Sequence, residues 1–234
     1  AIVAALKIVE PDTPKLDGLL HAFEGMIARQ VGCIDTQQRG KRRRLRPRLQ
    51  HGPVPAPLRA HPERLVVVYG EFTLDPGRGH GGPKEILYWT AHRPATGETF
   101  AAEVRPATLN PEPYHLEAMG LGPDVLTRGR SPTALRADFA AFVPEAPLFV
   151  AWNQSSLDLL RQHVRPGAEA WLLKGMYCNI ARRPSGHLEE ALAHLGLCAE
   201  PLPCRGRAAT RLGNAVAMAR HLLRLPALNE PRFK

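Results

Sequence analysis

The sequence predicts an α/β fold, a mixed sheet with helices packed on its faces, preceded by a short helical segment and a basic linker. Three observations carry this. The β-branched run in "RLVVVYGEF" is followed by two segments of alternating character with turn residues between them, the pattern of an antiparallel meander. Strand-like apolar runs and amphipathic helical stretches then alternate to the end of the chain. A chain of 234 residues with 44% hydrophobic content is ordinary for a globular protein and long enough for one good-sized domain plus extras.

The elements follow in order. Residues 1–35 contain two helical patterns. Ile2, Leu6 and Val9 recur at helical spacing before Pro11, and Leu19, Leu20, Phe23, Met26, Ile27 and Val31 repeat the stripe. Two such short helices cannot bury these faces alone, so they must pack on something further. Residues 36–62, "QQRGKRRRLRPRLQHGPVPAPLRAHP" and the residue before it, read as a linker. Like charges repel and spaced prolines remove helix hydrogen bonds, so an extended segment is expected.

Residues 63–226 read as the α/β domain. "RLVVVYGEF", "KEILYWTAHRP" and "TFAAEVRP" are the meander strands. "SPTALRADFAAFV" is a helix with a Ser N-cap and Leu135, Phe139 and Phe142 on one face. "PLFVAWN" is a buried strand, and "SSLDLLRQHV" a helix capped by Ser155 or Ser156. "EAWLLKGMY" reads as a further strand, and "GHLEEALAHLGL" and "RLGNAVAMARHLLRL" as amphipathic helices. Residues 227–234 are a tail.

Charge narrows the partners. A formal net charge of +9 favours an anionic ligand, nucleic acid above all. Arg39, Lys41, Arg42, Arg43, Arg44, Arg46 and Arg48 form the densest cationic run and are candidate phosphate contacts, whose binding should weaken steeply with salt. No apolar run reaches the ~18–20 residues of a membrane span, so no membrane partner is expected. The four cysteines form no C-x-x-C pair, which argues against a zinc ribbon and for reduced thiols in a cytoplasmic protein. The first residues, "AIVAALKIVEP", have neither an initiator Met nor a helix cap, so the chain reads as a fragment of a longer protein. "GRGHGGPKE" lacks the G-K-[ST] ending of a phosphate-binding loop and reads as a hairpin connection.

The order of elements and the local sequences over residues 63–226 resemble the ribonuclease-H-like 3′–5′ exonucleases of the DEDD type. The resemblance implies four acids holding two divalent ions, Mg²⁺ or Mn²⁺, with a His as general base. Carried across, Tyr69-Gly70-Glu71 takes the Asp-x-Glu place, so the first acid is a tyrosine and Glu71 the survivor. Trp152-Asn153 takes the His-Asn place, and Asp158 matches the third acid with one residue too many in the spacing. Ala209 falls on the base and Asn214 on the last acid. A cleft of Tyr69, Glu71, Asp158, Ala209 and Asn214 is therefore expected to be a remnant, with Glu71 and Asp158 as the remaining metal ligands. Two negative charges do not balance four positive ones. Asp75 or Glu85 standing in for a missing acid, and His80 or His92 for the base, are weaker candidates. Trp152 borders this cleft and is a candidate for stacking on a nucleic-acid base.

The first residues carry a second resemblance, to the C-terminal helices of DTW-domain tRNA-uridine aminocarboxypropyltransferases, through "AIVAALKIVEP" and "LLHAFEGMIARQV" with Phe23, Met26 and Gln30. It implies a missing N-terminal domain of the same polypeptide that uses S-adenosylmethionine. It implies no cofactor and no transferase residue in the chain itself. Together these readings lead to an expectation of a catalytically degenerate, exonuclease-like domain that binds RNA, tRNA in particular, for a tRNA-modifying transferase. The alternatives are an active metal-dependent 3′–5′ exonuclease with a rearranged site and a protein-interaction domain.

Overall fold

A computed structural model describes residues 54–74, 84–108, 111–182 and 185–225. The expected helices of residues 1–35, the basic run Arg39–Arg48, Asp75, His80 and the tail all lie outside the described residues. Five strands form one sheet in the order β3-β2-β1-β4-β5. β1 (Leu65–Leu74), β2 (Lys84–His92) and β3 (Thr99–Glu103) are the antiparallel meander. β4 (Leu148–Ala151) joins β1 in parallel, and β5 (Ala170–Leu172) joins β4 in parallel. The central strands are buried on both faces, which is why β1 and β4 are near-continuous apolar runs.

Successive residues of β1 supply opposite faces of the sheet. Val66 and Val68 point into a core with Trp89, Phe149 and α4 (Pro132–Phe142), where Phe139 is 1% exposed. As expected, the Ser131 hydroxyl caps α4 by accepting from the Ala134 N–H. Leu65 and Val67 point the other way, onto α6 (Leu173–Ala181), α7 (Leu188–Leu195) and α8 (Gly206–Arg224). α8 is the longest described helix, and its residues 212–219 are buried without a break because it lies across the sheet between α7 and β1. No helix among the described residues is long and apolar enough to cross a membrane. Cys178, Cys198 and Cys204 carry free thiols.

Four details depart from the sequence reading. The stretch read as linker up to residue 62 is folded at its end. α1 (Ala56–Ala60) places Leu58, 1% exposed, beside Val54 in the core, with a proline in its first turn where no N–H is needed. The segment read as one strand through Tyr177 is a three-residue strand that turns directly into α6, because its apolar residues serve either period. The helix expected to be capped by a serine is capped by Asn153. Its side-chain oxygen accepts from the Ser156 N–H at 2.8 Å, opening α5 (Gln154–Leu159), which continues as a π-helical turn over Leu160–Val164. Two short helices, α2 (Pro113–Met119) and α3 (Val125–Arg128), fill the Pro- and Gly-rich connection after β3.

Two glycines set backbone approaches near the site. A Cβ at Gly70 would lie 2.8 Å from the Trp89 ring and 3.0 Å from Leu159, so the middle residue of Tyr-Gly-Glu has no room for a side chain. Gly206 opens α8 with φ +63°, and a Cβ there would lie 2.3 Å from the Met119 carbonyl oxygen. The start of α8 therefore rests against the end of α2.

Candidate nucleic-acid interface

β1 delivers Tyr69 and Glu71 to the same face of the sheet, two residues apart, and a bulge follows between Glu71 and Phe72. Glu71 is 3% exposed. A carboxylate so buried needs a full set of partners, and it has them. The Tyr69 hydroxyl donates to its Oε1 at 2.9 Å. Arg207, in the first turn of α8, donates from Nε to Oε1 at 2.9 Å and from Nη2 to Oε2 at 2.5 Å. This is the two-pronged guanidinium–carboxylate pairing, which fixes orientation as well as charge.

The protonation states follow from these contacts. Burial and the neighbouring Glu71 carboxylate push the Tyr69 hydroxyl well above the usual phenol value, so Tyr69 remains a neutral donor. The hydrogen bonds to Glu71 raise Arg207 above its ordinary value, and it is a permanent cation.

Arg211, one turn further along α8, donates from Nη1 to Glu189 of α7 at 3.1 Å. Asn214, 4% exposed, donates from Nδ2 to Oε1 of the same Glu189 carboxylate at 3.4 Å. Arg207, Arg211 and Asn214, at spacings of four and three, thus run along one face of α8.

Of the residues singled out in the sequence, Tyr69 and Glu71 are in contact. Asn214 lies on α8 but is bonded to Glu189. Ala209, half-buried, is on the same helix and offers no polar group. Asp158, on α5, accepts from Gln154 Nε2 one turn earlier at 2.8 Å, and no hydrogen bond or ion pair described here joins it to Glu71. Trp152 is 8% exposed and packs on Tyr177 with ring centroids 6.0 Å apart. Its ring belongs to the core, which removes the expected base-stacking face. Glu85 accepts from the Thr108 N–H and hydroxyl, the latter at 2.7 Å, and so secures the segment after β3. Among the described residues no group of three or more His, Cys, Asp or Glu is placed to hold a metal ion.

Arg207, Arg211 and Glu189 were missed by the sequence reading. The signal present was the spacing of the two arginines and Asn214 in "RAATRLGN". The partner of Arg207 is 136 residues away, which no local pattern reveals.

His92, weighed as a base, pairs with Val67 in the sheet register, four positions from Glu71. It is 3% exposed, and its Nδ1 bonds Thr99 Oγ1 at 2.9 Å. Burial, with Arg220 nearby, lowers its pKa. Burial also lowers that of His163, against a smaller opposing pull from Glu85. A neutral imidazole is thus favoured in the folded state at both positions. Below the unfolded value of about 6.5 the unfolded chain binds protons that the folded one refuses. Stability should therefore be complete above about pH 6.5 and fall as pH drops toward and through the folded values. Urea midpoints at pH 7.5 and 5.5 check this, and His92→Gln should shrink the difference.

No family model matches the chain, and no curated protein sequence does. Solved structures do. The nuclease domain of 3′hExo, described as a DEDDh family member bound to rAMP, matches with a TM-score of 0.51 at 18% identity, over 68% of this chain and 90% of that one. A 3′-exonuclease described in 3′-end-specific recognition of a histone mRNA stem-loop matches with a TM-score of 0.50 at 18% identity, over 68% and 80%. Exonuclease X in complex with 5′-overhanging duplex DNA matches with a TM-score of 0.50 at 13% identity, over 68% and 89%. The fold is the ribonuclease-H-like fold of exonuclease domains.

Proposed function

We propose that this domain is an exonuclease fold that binds RNA without cleaving it. The observation that carries the reading is the seat of Arg207 on Glu71. The residues present do not fit a pair of divalent ions. Both oxygens of Glu71 are occupied by a guanidinium fixed to the same polypeptide. Tyr69 is held neutral, and Asn214 brings an amide rather than a charge. Two dications about 4 Å apart repel by roughly 16 kcal/mol at an effective dielectric of 20, four times the figure for unit charges. Offsetting that takes anionic ligands, but of the two remaining acids Glu71 already has its cation and Asp158 is bonded to Gln154 on α5.

The net charge of +9 and the cationic run at Arg39–Arg48 support an RNA partner, since phosphate neutralisation gives affinity without sequence choice. The resemblance of residues 1–35 to the tail of a DTW-domain transferase supports tRNA as that RNA and an accessory role beside a domain using S-adenosylmethionine. An active exonuclease with a rearranged site is the alternative.

Labelled single-stranded RNA incubated with the purified chain and Mg²⁺ or Mn²⁺ separates the two. The expected result is full-length RNA at all times, together with binding that weakens as salt rises from 50 to 200 mM. Metal-dependent 3′ trimming that disappears in Glu71→Gln would overturn the reading. Deleting residues 36–50 should cost most of the low-salt affinity for tRNA.

A further inference from the structure

The RNA-binding reading leaves open which surface of the domain meets the nucleic acid, and two features on touching helices bear on it. The first is the pair of guanidiniums on α8. Arginine has five N–H donors in a rigid fork. Glu71 takes two of those of Arg207, and three remain on a side chain that is 42% exposed. Arg211, 34% exposed, is likewise braced from one side by Glu189. The carboxylates behind them hold the forks in place, so a ligand would not have to order them. Planar, fixed donors of this kind suit a phosphate oxygen. Arg205, paired with Glu103, stands at the same helix end.

The second feature is aromatic. Among the described residues, Tyr114 is the one large hydrophobic side chain that is exposed, at 63%. It lies against the His115 ring with centroids 4.1 Å apart. Both are on α2, whose far end touches the start of α8 through the Gly206 approach. Tyr114 precedes Gly120 by six residues, about 9 Å along a helix at ~1.5 Å per residue.

We propose that Arg207 and Arg211 hold backbone phosphates of single-stranded RNA while Tyr114 stacks on a nearby base, forming a seat that needs no metal ion. It rests on the RNA-binding reading. The ligand is recognised by alternating anion and π-face, the chemistry of a sequence-tolerant single-strand site. Arg207, its charge balanced by Glu71, offers the phosphate its free N–H donors.

Fluorescence anisotropy with a labelled single-stranded RNA oligonucleotide, read in EDTA and in Mg²⁺ over a salt series, tests it on the full chain. Wild type should bind equally with and without metal. Arg211→Gln should lower affinity about five- to tenfold at low salt and reduce the salt slope by about 0.7, one phosphate contact on a single strand. Tyr114→Ala should lower affinity about tenfold and leave the slope unchanged. Arg207→Lys keeps the charge but loses the fork, so it should weaken binding several-fold at constant slope. Arg211 and Tyr114 are far enough in solvent that their variants will fold, which urea midpoints confirm. If wild type binds but Arg211→Gln and Tyr114→Ala bind as tightly, or if EDTA abolishes binding, the seat is wrong while RNA binding stands. If wild type does not bind RNA at all, the RNA-binding reading falls and the seat with it.

Discussion

Replacing Arg207 with methionine will lower the unfolding free energy by about 2–3 kcal/mol. The Glu71 side chain is 4% exposed and would lose the two bonds that Arg207 donates, keeping only the Tyr69 hydroxyl. Stranding one member of a fully buried pair costs about 3–5 kcal/mol. Here the guanidinium is 42% exposed, so solvent already screens part of the interaction and the smaller figure applies. Urea denaturation gives the value. The double variant Arg207→Met with Glu71→Leu should recover part of the loss, because neither charge is then left alone, with a coupling of about 1–3 kcal/mol. A single variant as stable as wild type would mean that the pair does not hold α8 to the sheet.

Phe139→Ala will cost more, about 3–5 kcal/mol, because a ring is removed from a packed core that closes only in part. Phe139 is 1% exposed and touches four other rings. Trp89 of β2 lies edge-on at 5.9 Å and Phe100 of β3 at 5.5 Å, with Phe149 of β4 stacked at 6.0 Å and Phe142 of its own helix at 6.2 Å. One side chain thus ties α4 to three strands. It does so on the face occupied by Val66 and Val68, opposite the one that carries Tyr69 and Glu71. The variant should therefore unfold at lower urea and yet, where it remains folded, bind RNA with unchanged affinity. Loss of affinity in the folded variant would show that the two faces are coupled.

How far the sequence could be read depended on the range of the interaction. The meander and β4 were legible because β-branched runs broken by turn residues leave few other solutions, and α4 because its cap and stripe agree. The β5–α6 junction was not, since "AWLLKGMY" is apolar enough for either period. The cap of α5 was misplaced because Asn153, Ser155 and Ser156 are all able to cap, and only the fold decides among them. α2 and α3 hid in a stretch where prolines and glycines read as breakers. At the site, Tyr69, Glu71 and Asn214 were singled out by position; Tyr69 and Glu71 are in contact, while Asn214 is bonded to Glu189. The arginine that engages Glu71 was invisible, because the pair exists only once α8 has folded across β1.

The docking of α1 has a geometric corollary. Arg59 Nη1 donates to the Leu225 carbonyl at 2.6 Å, so the polypeptide enters the domain beside the point where its last described residue leaves. Leu225 lies eighteen residues after Arg207 along α8, about 27 Å at the rise of an α-helix. The long helix is thus pinned near both ends, by Arg207 on Glu71 at its start and by Arg59 at its finish.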